Sequence, residues 1–174
     1  MLRFGEGALI FAEREIREVH VAGGRVRLAT RDDAEVLTRM RTELWPEGTA
    51  EEHSSELQEI LSGEARGNKA MTIFVWEAHE GGLAGFLETR LRSHADGCHE
   101  GRPVGYVEGW FVSKGHRRRG IGAELLRAAE DWARRQGCRE LASDAEIENE
   151  VSQRAHEALG FRPGSRVVTY RKSL

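Results

Sequence analysis

The chain has 174 residues, of which 39% are hydrophobic and 32% are charged, and its formal net charge is −3. This length suits one domain with a buried core, and the near-neutral charge gives no reason to expect nucleic acid as a partner. No apolar run approaches the roughly 20 residues that span a bilayer, so neither a membrane segment nor a signal peptide is expected. The two cysteines, Cys98 and Cys138, are too few and too far apart for a disulfide scaffold and favour a reducing cytoplasm.

The N-terminal part of the chain is predicted to contain an extension, a strand and two helices. The extension covers residues 1–24 and ends in an Ala-Gly-Gly turn, after which residues 25–29 alternate as a short strand. A capping residue at Thr30 predicts a helix that runs through about Leu44, and apolar spacing predicts a second helix over residues 50–62. The folded domain is therefore expected to begin with the short strand.

The rest of the chain alternates between predicted strands and helices, beginning with a hairpin that turns at Gly81-Gly82. In chain order, the predicted elements are strands at 71–78, 83–93 and 104–112, a helix at 121–136, a strand near 139–143, a helix near 148–159 and a strand near 166–172. Because strands both precede and follow helices, we expect an α/β fold whose sheet has mixed strand directions.

Three arginines directly precede the helix predicted at 121–136. The N-terminus of a helix carries about half a positive charge, so cations at residues 117–119 do not stabilise it. Gly120 and Gly122 let backbone amides approach a bound group closely, and amides at the start of a helix bind phosphate. The spacing fits neither the P-loop nor the complete dinucleotide-binding pattern. The loop therefore predicts a site for a pyrophosphate group, with a solvated surface loop as the alternative.

Two motifs in this order resemble the GNAT superfamily of N-acetyltransferases. The motif R-x-x-G-x-G at 117–122 is similar to the loop that binds the pyrophosphate of acetyl-CoA, and N-x-x-S-x-x-x-H-x-x-x-G-F at 149–161 is similar to the segment beside pantetheine. The resemblance implies acetyl-CoA as co-substrate and a GNAT fold over residues 25–174, with a mixed, mostly antiparallel central sheet flanked by helices. The residues that it assigns to acetyl-CoA are Trp110, Phe111, Val112, Arg117, Arg118, Arg119, Gly120, Ile121, Gly122, Ala123, Asn149, Ser152 and His156.

Five further stretches are similar to the aminoglycoside 6′-N-acetyltransferases, bacterial enzymes that acetylate and inactivate polycationic antibiotics. The stretches are LWPEG (44–48), YVEGWFV (106–112), GCRELASD (137–144), ENEVSQRAHEALGF (148–161) and VTYRK (168–172). This resemblance implies a homodimer, an acidic substrate cleft and a small polycationic amine as the partner. The chain departs from these enzymes in its N-terminal extension and at Arg162-Pro163, where they carry acidic residues.

Glutamates concentrate between residues 47 and 64, a segment that contains six of them and no lysine or arginine. A solvated helical face is one explanation, whereas the resemblance places this segment over the acceptor and Asp144 beneath it. Negative potential there would attract and orient a cationic amino sugar. The residues predicted to bind the acceptor are Trp45, Glu52, Glu56, Glu108 and Asp144.

The reaction requires the acceptor amine to lose a proton. An alkyl amine with a pKa near 10.4 costs roughly 4 kcal/mol to deprotonate at neutral pH, so a base or a water relay helps. Glu108 is the leading candidate because it lies within an apolar strand, and Asp144 could share its role. Beside it, Gly109 would tolerate a bulge that frees the following backbone for pantetheine and for an oxyanion. His156, where relatives often have tyrosine, and Tyr170 are the candidate acids for the departing thiolate.

Several alternatives stay open, since each candidate catalytic side chain can instead be structural. Direct transfer is expected rather than a covalent acetyl-cysteine, because Cys138 lies far in sequence from the candidate base. The loop that contains His94, Cys98 and His99 has poor spacing for zinc, so no metal is expected. Another amine, such as a polyamine, an amino acid derivative or a protein N-terminus, is the alternative acceptor. A non-catalytic acyl-CoA sensor with the GNAT fold is the alternative in which the protein is not an enzyme.

Overall fold

A six-stranded sheet forms the centre of the fold in the computed structural model, which describes residues 20–21, 23–62 and 71–173. Its strands are β1 (His20–Val21), β2 (Gly24–Leu28), β3 (Met71–Ala78), β4 (Leu83–Arg92), β5 (Val104–Val112) and β6 (Leu141–Ser143). The helices are α1 (Ala34–Leu44), α2 (Ala50–Ser62), α3 (Ile121–Arg135) and α4 (Glu150–Ala158). Neighbouring strands follow chain order and all pair antiparallel except β5 with β6. The mixed, mostly antiparallel sheet that the sequence predicts is confirmed.

The two faces of the sheet carry separate hydrophobic cores because side chains alternate along each strand. On β3, Phe74 and Trp76 belong to the core that packs against α3. Ile73 and Val75 belong to the core that packs against α1 and α2. All four side chains are at most 5% exposed. Helices therefore cover both faces of the sheet, as layered α/β folds require.

Helix α3 is bounded by glycines with left-handed backbone. Gly120 precedes the helix with a φ of +84°, and Gly137 follows it with a φ of +82°. Residues with a Cβ are strained at such angles, so these two glycines favour the observed helix limits. Between them, Leu125, Ala129 and Trp132 recur at helical spacing and are at most 8% exposed. The helix thus starts directly after the three arginines.

A β-bulge interrupts the pairing of β4 with β5. Glu88 of β4 pairs with Gly109, whereas the next residue, Thr89, pairs with Val107, which leaves Glu108 as the extra residue. A bulge bends the strand and shifts the alternation of its side chains. The bulge that the sequence predicts beside Gly109 is therefore present.

Strand β6 accompanies β5 over only part of its length. The parallel pairing begins at Gly105 opposite Leu141 and ends at Val107 opposite Ser143. Beyond that point β5 continues to Val112, with β4 on one side and no described strand on the other. The two strands therefore separate and leave one backbone edge of β5 open.

The strand predicted near 166–172 is wrong, because residues 161–173 form neither a helix nor a strand. The sequence alternates there as a strand does, but a strand also needs a neighbour with free backbone groups. No described strand pairs with this segment, and Val167 and Val168 are 71% and 74% exposed.

Part of the predicted N-terminal extension lies outside the described residues, namely 1–19 and 22. The domain boundary at residues 24 and 25 therefore stays a prediction. The end of the extension nevertheless joins the sheet, since β1 pairs antiparallel with β2. None of the described helices has the length and apolar character needed to cross a membrane.

Candidate active site

A cavity of about 460 Å³ lies between helices α1 and α2 and strands β3 to β5. Four carboxylates and two guanidinium groups line it, so its formal charge is negative and suits a cationic ligand. The lining residues are Arg41, Trp45, His53, Glu56, Glu59, Ile60, Met71, Glu88, Arg90 and Glu108.

Glu88 of β4 is the most deeply buried acid in this lining, at 1% exposed. Helix α1 brings Arg41 against it, with Arg41 Nε 3.2 Å from Glu88 Oε1. Burial raises the pKa of Glu88 to about 7, an effect that Arg41 opposes and the neighbouring carboxylates strengthen. A carboxyl group that titrates near neutral pH can accept and release protons under working conditions. Glu88 is therefore a second candidate for the general base, beside Glu108.

Arg41 connects α1 to α2 as well as to the sheet. Its Nη2 donates to Glu56 at 2.8 Å, and its Nη1 donates to the backbone carbonyl of His53 at 3.2 Å. Its guanidinium also lies over the Trp45 ring, 5.1 Å from the ring centroid. One buried cation therefore holds an acid of α2, an indole and the buried carboxylate of β4 around the same cavity.

Glu108 also faces the cavity, but two arginines of β4 engage its carboxylate. Arg92 donates from Nε at 3.0 Å and from Nη2 at 2.7 Å. Arg90 Nε lies 2.8 Å from Glu108 Oε1. Charge-assisted contacts of this kind hold a carboxylate in one position. This geometry suits orienting an amine or a water.

Asp144 lies outside the cavity lining, although the family resemblance implies a position beneath the acceptor. It follows β6 and is exposed, and its carboxylate lies near the hydroxyl of Tyr106. Burial, together with the Asp144 carboxylate, raises the pKa of Tyr106 to about 12. Arg92 lies 3.3 Å above the Tyr106 ring. Asp144 is thus connected to Glu108 through Tyr106 and Arg92 rather than by a shared wall of the cavity.

Of the other predicted acceptor residues, Trp45 and Glu56 line the cavity and Glu52 does not. Glu52 Oε2 accepts a hydrogen bond from the Thr49 amide at 2.8 Å, and the Thr49 hydroxyl accepts one from the Glu52 amide at 3.2 Å. These bonds hold the pKa of Glu52 below its ordinary value. The pair forms a capping box, so Glu52 stabilises the start of α2.

The acetyl-CoA residues predicted on β5 lie where β5 and β6 separate. Among the described strands, only β4 pairs with the backbone of Trp110 and Val112. The Phe111 side chain is 6% exposed and stacks on Phe86 with ring centroids 5.9 Å apart, so only its backbone can reach a ligand. An open strand edge offers N–H and C=O groups to an extended partner, as the pantetheine arm requires.

The arginine loop leads into the N-terminus of α3, whose first amides have no intrahelical partner. Arg117 ties the loop to β5, because its Nε donates to the carbonyl of Val112 at 2.8 Å. Arg118 and Arg119 are exposed, and no ion pair joins either of them to a described residue. Two available guanidinium groups beside available amides fit a pyrophosphate group.

The first residues of α3 pack closely on β5. Ile121 is 3% exposed, so its contribution to a ligand is limited to its backbone. A Cβ at Gly122 would lie 3.0 Å from the Trp110 ring, so glycine lets the helix approach the strand. Ala123 is half-buried beside them. These contacts fix the start of α3 against the open edge of β5.

Helix α4 places three predicted acetyl-CoA residues near the same edge. The Asn149 side chain accepts a hydrogen bond from the Ser152 amide at 3.0 Å and caps the helix. The His156 ring meets Trp110 edge-on with centroids 5.3 Å apart. Its Nε2 lies 3.0 Å from Oγ of Ser143, the last residue of β6. His156 thus bridges α4, β5 and β6.

Tyr170, the other predicted acid, is not brought to this group. It is 89% exposed within the irregular segment 161–173 and does not line the cavity. Of the two candidate acids, His156 is therefore the one that lies where β5 and β6 separate.

Glu88 and Arg41 are not among the site residues predicted from the sequence. The signal for Glu88 is a charged residue inside the apolar run of β4, which is the argument that selects Glu108 on β5. The signal for Arg41 is its position on the face of α1 that also carries Leu37 and Leu44, where helical spacing predicts burial. Their direct contact could not be predicted, because it depends on how α1 packs on the sheet.

Known proteins of one family resemble this chain. A model of the acetyltransferase (GNAT) family matches residues 37–161. The aminoglycoside N(6′)-acetyltransferase type 1 of Klebsiella aerogenes is 45% identical over 145 residues, which are 83% of this chain and 93% of that protein. The protein of the same name from Salmonella typhimurium is 37% identical over 134 residues, which are 76% of this chain and 88% of that protein.

Solved structures agree with the sequence relatives. Aminoglycoside N-acetyltransferase AAC(6′)-Iy in complex with CoA has a TM-score of 0.78 and 33% identity, covering 90% of this chain and 100% of that chain. AAC(6′)-Iy in complex with the bisubstrate analog CoA-S-monomethyl-acetylneamine has a TM-score of 0.76 and 35% identity, covering 86% and 97%. With a family model and relatives that match most of its length, the chain belongs to the GNAT family of acetyltransferases.

Proposed function

We propose that this protein transfers the acetyl group of acetyl-CoA to the 6′-amine of aminoglycosides, by direct transfer within a ternary complex. The observation that carries the proposal is the acidic cavity at the β5 bulge, on the strand whose free edge is open. Relatives named as aminoglycoside N(6′)-acetyltransferases and a neighbour solved with CoA support it. An amine and a thioester can therefore meet at one strand.

The open edge of β5 and the arginine loop would hold acetyl-CoA. Backbone groups of residues 110–112 would pair with the pantetheine arm, while the amides of α3, Arg118 and Arg119 would bind the pyrophosphate. Arg117 would keep the loop in place through its bond to the Val112 carbonyl. These groups supply positive charge for one ligand, apart from the carboxylates that line the cavity for the other.

The acidic cavity would hold the amino sugar. Glu56 and Glu59 of α2 face the cavity from one side, and Glu88 and Glu108 face it from the sheet. Several carboxylates around one space attract a polycation and can accept hydrogen bonds from its ammonium groups. The Trp45 indole provides a flat apolar wall that sugar rings can pack against.

Glu88 would accept the proton of the attacking amine, directly or through one water. Glu108, held by its two arginines, would orient the amine, and an open backbone N–H of β5 would stabilise the oxyanion. Burial raises the pKa of the Cys138 thiol, which disfavours the thiolate that a covalent acetyl-cysteine would need. The amine nitrogen therefore attacks the thioester carbon directly.

We further propose that the protein acts as a homodimer. Among the described residues, most of the exposed large hydrophobic side chains lie in the C-terminal part of the chain: Ile147, Val151, Val167, Val168 and Tyr170. Exposed apolar side chains of this kind are typical of protein interfaces. The cytoplasmic location predicted from the two free cysteines stays a prediction.

A different small amine is the alternative acceptor, and one observation favours it. Arg90 lines the cavity and contacts Glu108, so two of the charges around the proposed amine site are positive when Arg41 is included. This lowers the attraction for a highly charged ligand. A diamine or an amino acid derivative would need fewer carboxylates than a polycationic aminoglycoside.

The acceptor can be tested with tobramycin or kanamycin and acetyl-CoA. We expect one acetyl group on the 6′-amine, located by mass spectrometry and NMR. At saturating acetyl-CoA, the KM for the aminoglycoside should rise with salt, because screening acts over about 8 Å at physiological ionic strength. If these aminoglycosides give no product while a simple diamine is acetylated well, the antibiotic acceptor is wrong and the alternative acceptor replaces it.

The arginine loop can be tested by reversing one charge. Arg119→Glu should weaken acetyl-CoA binding by about tenfold or more in calorimetry, because it removes a cation and adds an anion beside the pyrophosphate. Arg135→Glu makes the same change at the exposed C-terminal end of α3 and should leave the Kd nearly unchanged. Equal Kd values for the two variants would contradict the loop assignment.

The general base can be tested by the pH dependence of kcat/KM. With a pKa of about 7, Glu88 is increasingly protonated below neutral pH and cannot accept a proton, so the wild-type value should fall there. Glu88→Gln should lower the plateau by about 100-fold and remove that acid limb, with acetyl-CoA affinity retained. Glu108→Gln should mainly raise the acceptor KM.

Glu124→Gln is the matched control for Glu88→Gln. Glu124 is also buried, at 3% exposed, and burial raises its pKa, but it lies in α3 and accepts a bond from Trp76 Nε1 at 3.1 Å. This variant should keep the plateau and the acid limb. An unchanged acid limb in Glu88→Gln would show that another group is the base.

The dimer can be tested by light scattering. We expect a mass near twice the 19.5 kDa of one chain. Val168→Glu should shift the protein toward the monomer, because a charge on an apolar interface is costly to bury. Leu28→Glu, which changes a 41% exposed side chain on β2, should stay dimeric. A wild-type mass of one chain at micromolar concentration would contradict the proposal.

A further inference from the structure

His156 is held in one orientation by both of its ring nitrogens. Nδ1 lies 2.8 Å from the backbone carbonyl of Ser152, and Nε2 lies 3.0 Å from Oγ of Ser143. The ring also packs edge-on against Trp110 and Phe161, with centroids 5.3 and 5.0 Å apart. These contacts on four sides fix both the plane and the position of the imidazole.

The partners of His156 determine how it can pass a proton. Nδ1 lies closer to the Ser152 carbonyl, at 2.8 Å, than to the Ser152 hydroxyl, at 3.3 Å. A carbonyl oxygen only accepts hydrogen bonds, so we assign the proton to Nδ1, which donates it to that carbonyl. In the neutral ring Nε2 then accepts from the Ser143 hydroxyl, and in the imidazolium it donates to the Ser143 oxygen. Every proton that leaves His156 through Nε2 therefore passes to Ser143 first.

Ser143 lies at a position from which a relay could pass a proton to a ligand on the open edge of β5. It is the last residue of β6 and pairs with Val107, the final residue of β5 before the two strands separate. Its other hydrogen-bond contacts, to the carbonyls of Val107 and Asp144, are both long at 3.4 Å. When His156 donates to Ser143, the serine proton is free to turn toward a ligand on the open edge of β5.

We propose that Ser143 hands a proton from the His156 imidazolium to the thiolate that departs from acetyl-CoA. The inference rests on the proposed acetyl transfer. As the C–S bond of the tetrahedral adduct breaks, sulfur takes the electron pair and the Ser143 hydroxyl proton. Ser143 Oγ takes the Nε2 proton at the same time, and His156 is left neutral with Nδ1–H still bonded to Ser152. The proton of the attacking amine leaves separately, and solvent restores the imidazolium.

The test measures acetyl transfer in single turnovers by rapid quench, so that product release does not mask the chemical step. Ser143→Ala should slow transfer about 10- to 100-fold while the Kd for acetyl-CoA stays within about threefold. Ser143→Thr keeps a hydroxyl group at the same position and should recover most of the rate. Ser143→Ala removes only the hydroxyl group, whereas Ser143→Thr adds a methyl group, so a packing effect alone would make the Thr variant the slower of the two.

Variants at both positions test whether Ser143 and His156 act in one proton-transfer chain. His156→Gln should show the same deficit as Ser143→Ala, and the double variant should be no slower, because serial steps are lost together. The pH profiles of transfer in Ser143→Ala and His156→Gln should match each other and differ in shape from the wild-type profile, because both variants lose the same relay. A structural role for Ser143 would lower the rate without changing the shape of the profile.

Three results would overturn the relay: wild-type speed in Ser143→Ala, equal deficits in the Ala and Thr variants, or additive deficits at the two positions. The acceptor is tobramycin or, if tobramycin is not acetylated, a simple diamine. The relay concerns only the departing thiolate, so either acceptor reports on it. If the wild-type enzyme acetylates only the diamine, the antibiotic acceptor is contradicted. The relay is then tested by the Ser143 and His156 variants with the diamine as acceptor.

Discussion

The bulge at Glu108 is the constraint on which both halves of the candidate site depend. Val107 and Phe111 are four positions apart and would share a face in an uninterrupted strand. Instead, Val107 packs in the core beside α3 and Phe111 in the core beside α1 and α2. The shift also turns Gly109 toward Trp45, where a Cβ would lie 2.5 Å from the ring. One extra residue therefore directs a carboxylate into the cavity and changes the course of the strand that follows.

Charge is distributed around this strand in two separate groups. The carboxylates lie in the cavity, while the available guanidinium groups lie in the loop that opens α3. Within the cavity, Arg41 compensates Glu88 only in part, so burial still raises the pKa of Glu88 to about 7. Glu108 has the opposite environment, since Arg90 and Arg92 contact it directly. Two glutamates on adjacent strands are thus held differently, since burial dominates at Glu88 and two guanidinium groups fix Glu108.

Most elements of the fold could be predicted because their signals are local. The bounds of β3, β5 and α2 agree with the sequence analysis, since apolar alternation and helical spacing need no information from elsewhere in the chain. The segment near 166–172 shows the limit of this argument. It has the alternation of a strand, yet pairing depends on a neighbour that the sequence does not specify. The acceptor site was also predicted only in part. Trp45, Glu56 and Glu108 line the cavity as expected, whereas Glu52 belongs to a helix cap.

The sequence by itself determined the arginine loop, because the three cations, the glycines and the first amides of α3 are consecutive in the chain. Only the tertiary structure decided which carboxyl group is buried deeply enough to raise its pKa to about 7. Glu88 and Arg41 belong to different elements, and the pKa of Glu88 follows from burial that arises when α1 and α2 pack on the sheet. Ser143 and His156 likewise meet only because α4 returns to the end of β6. Residues that are adjacent in the sequence determine local geometry. Desolvation, and contacts between side chains distant in the sequence, arise only after the helices have packed on the sheet.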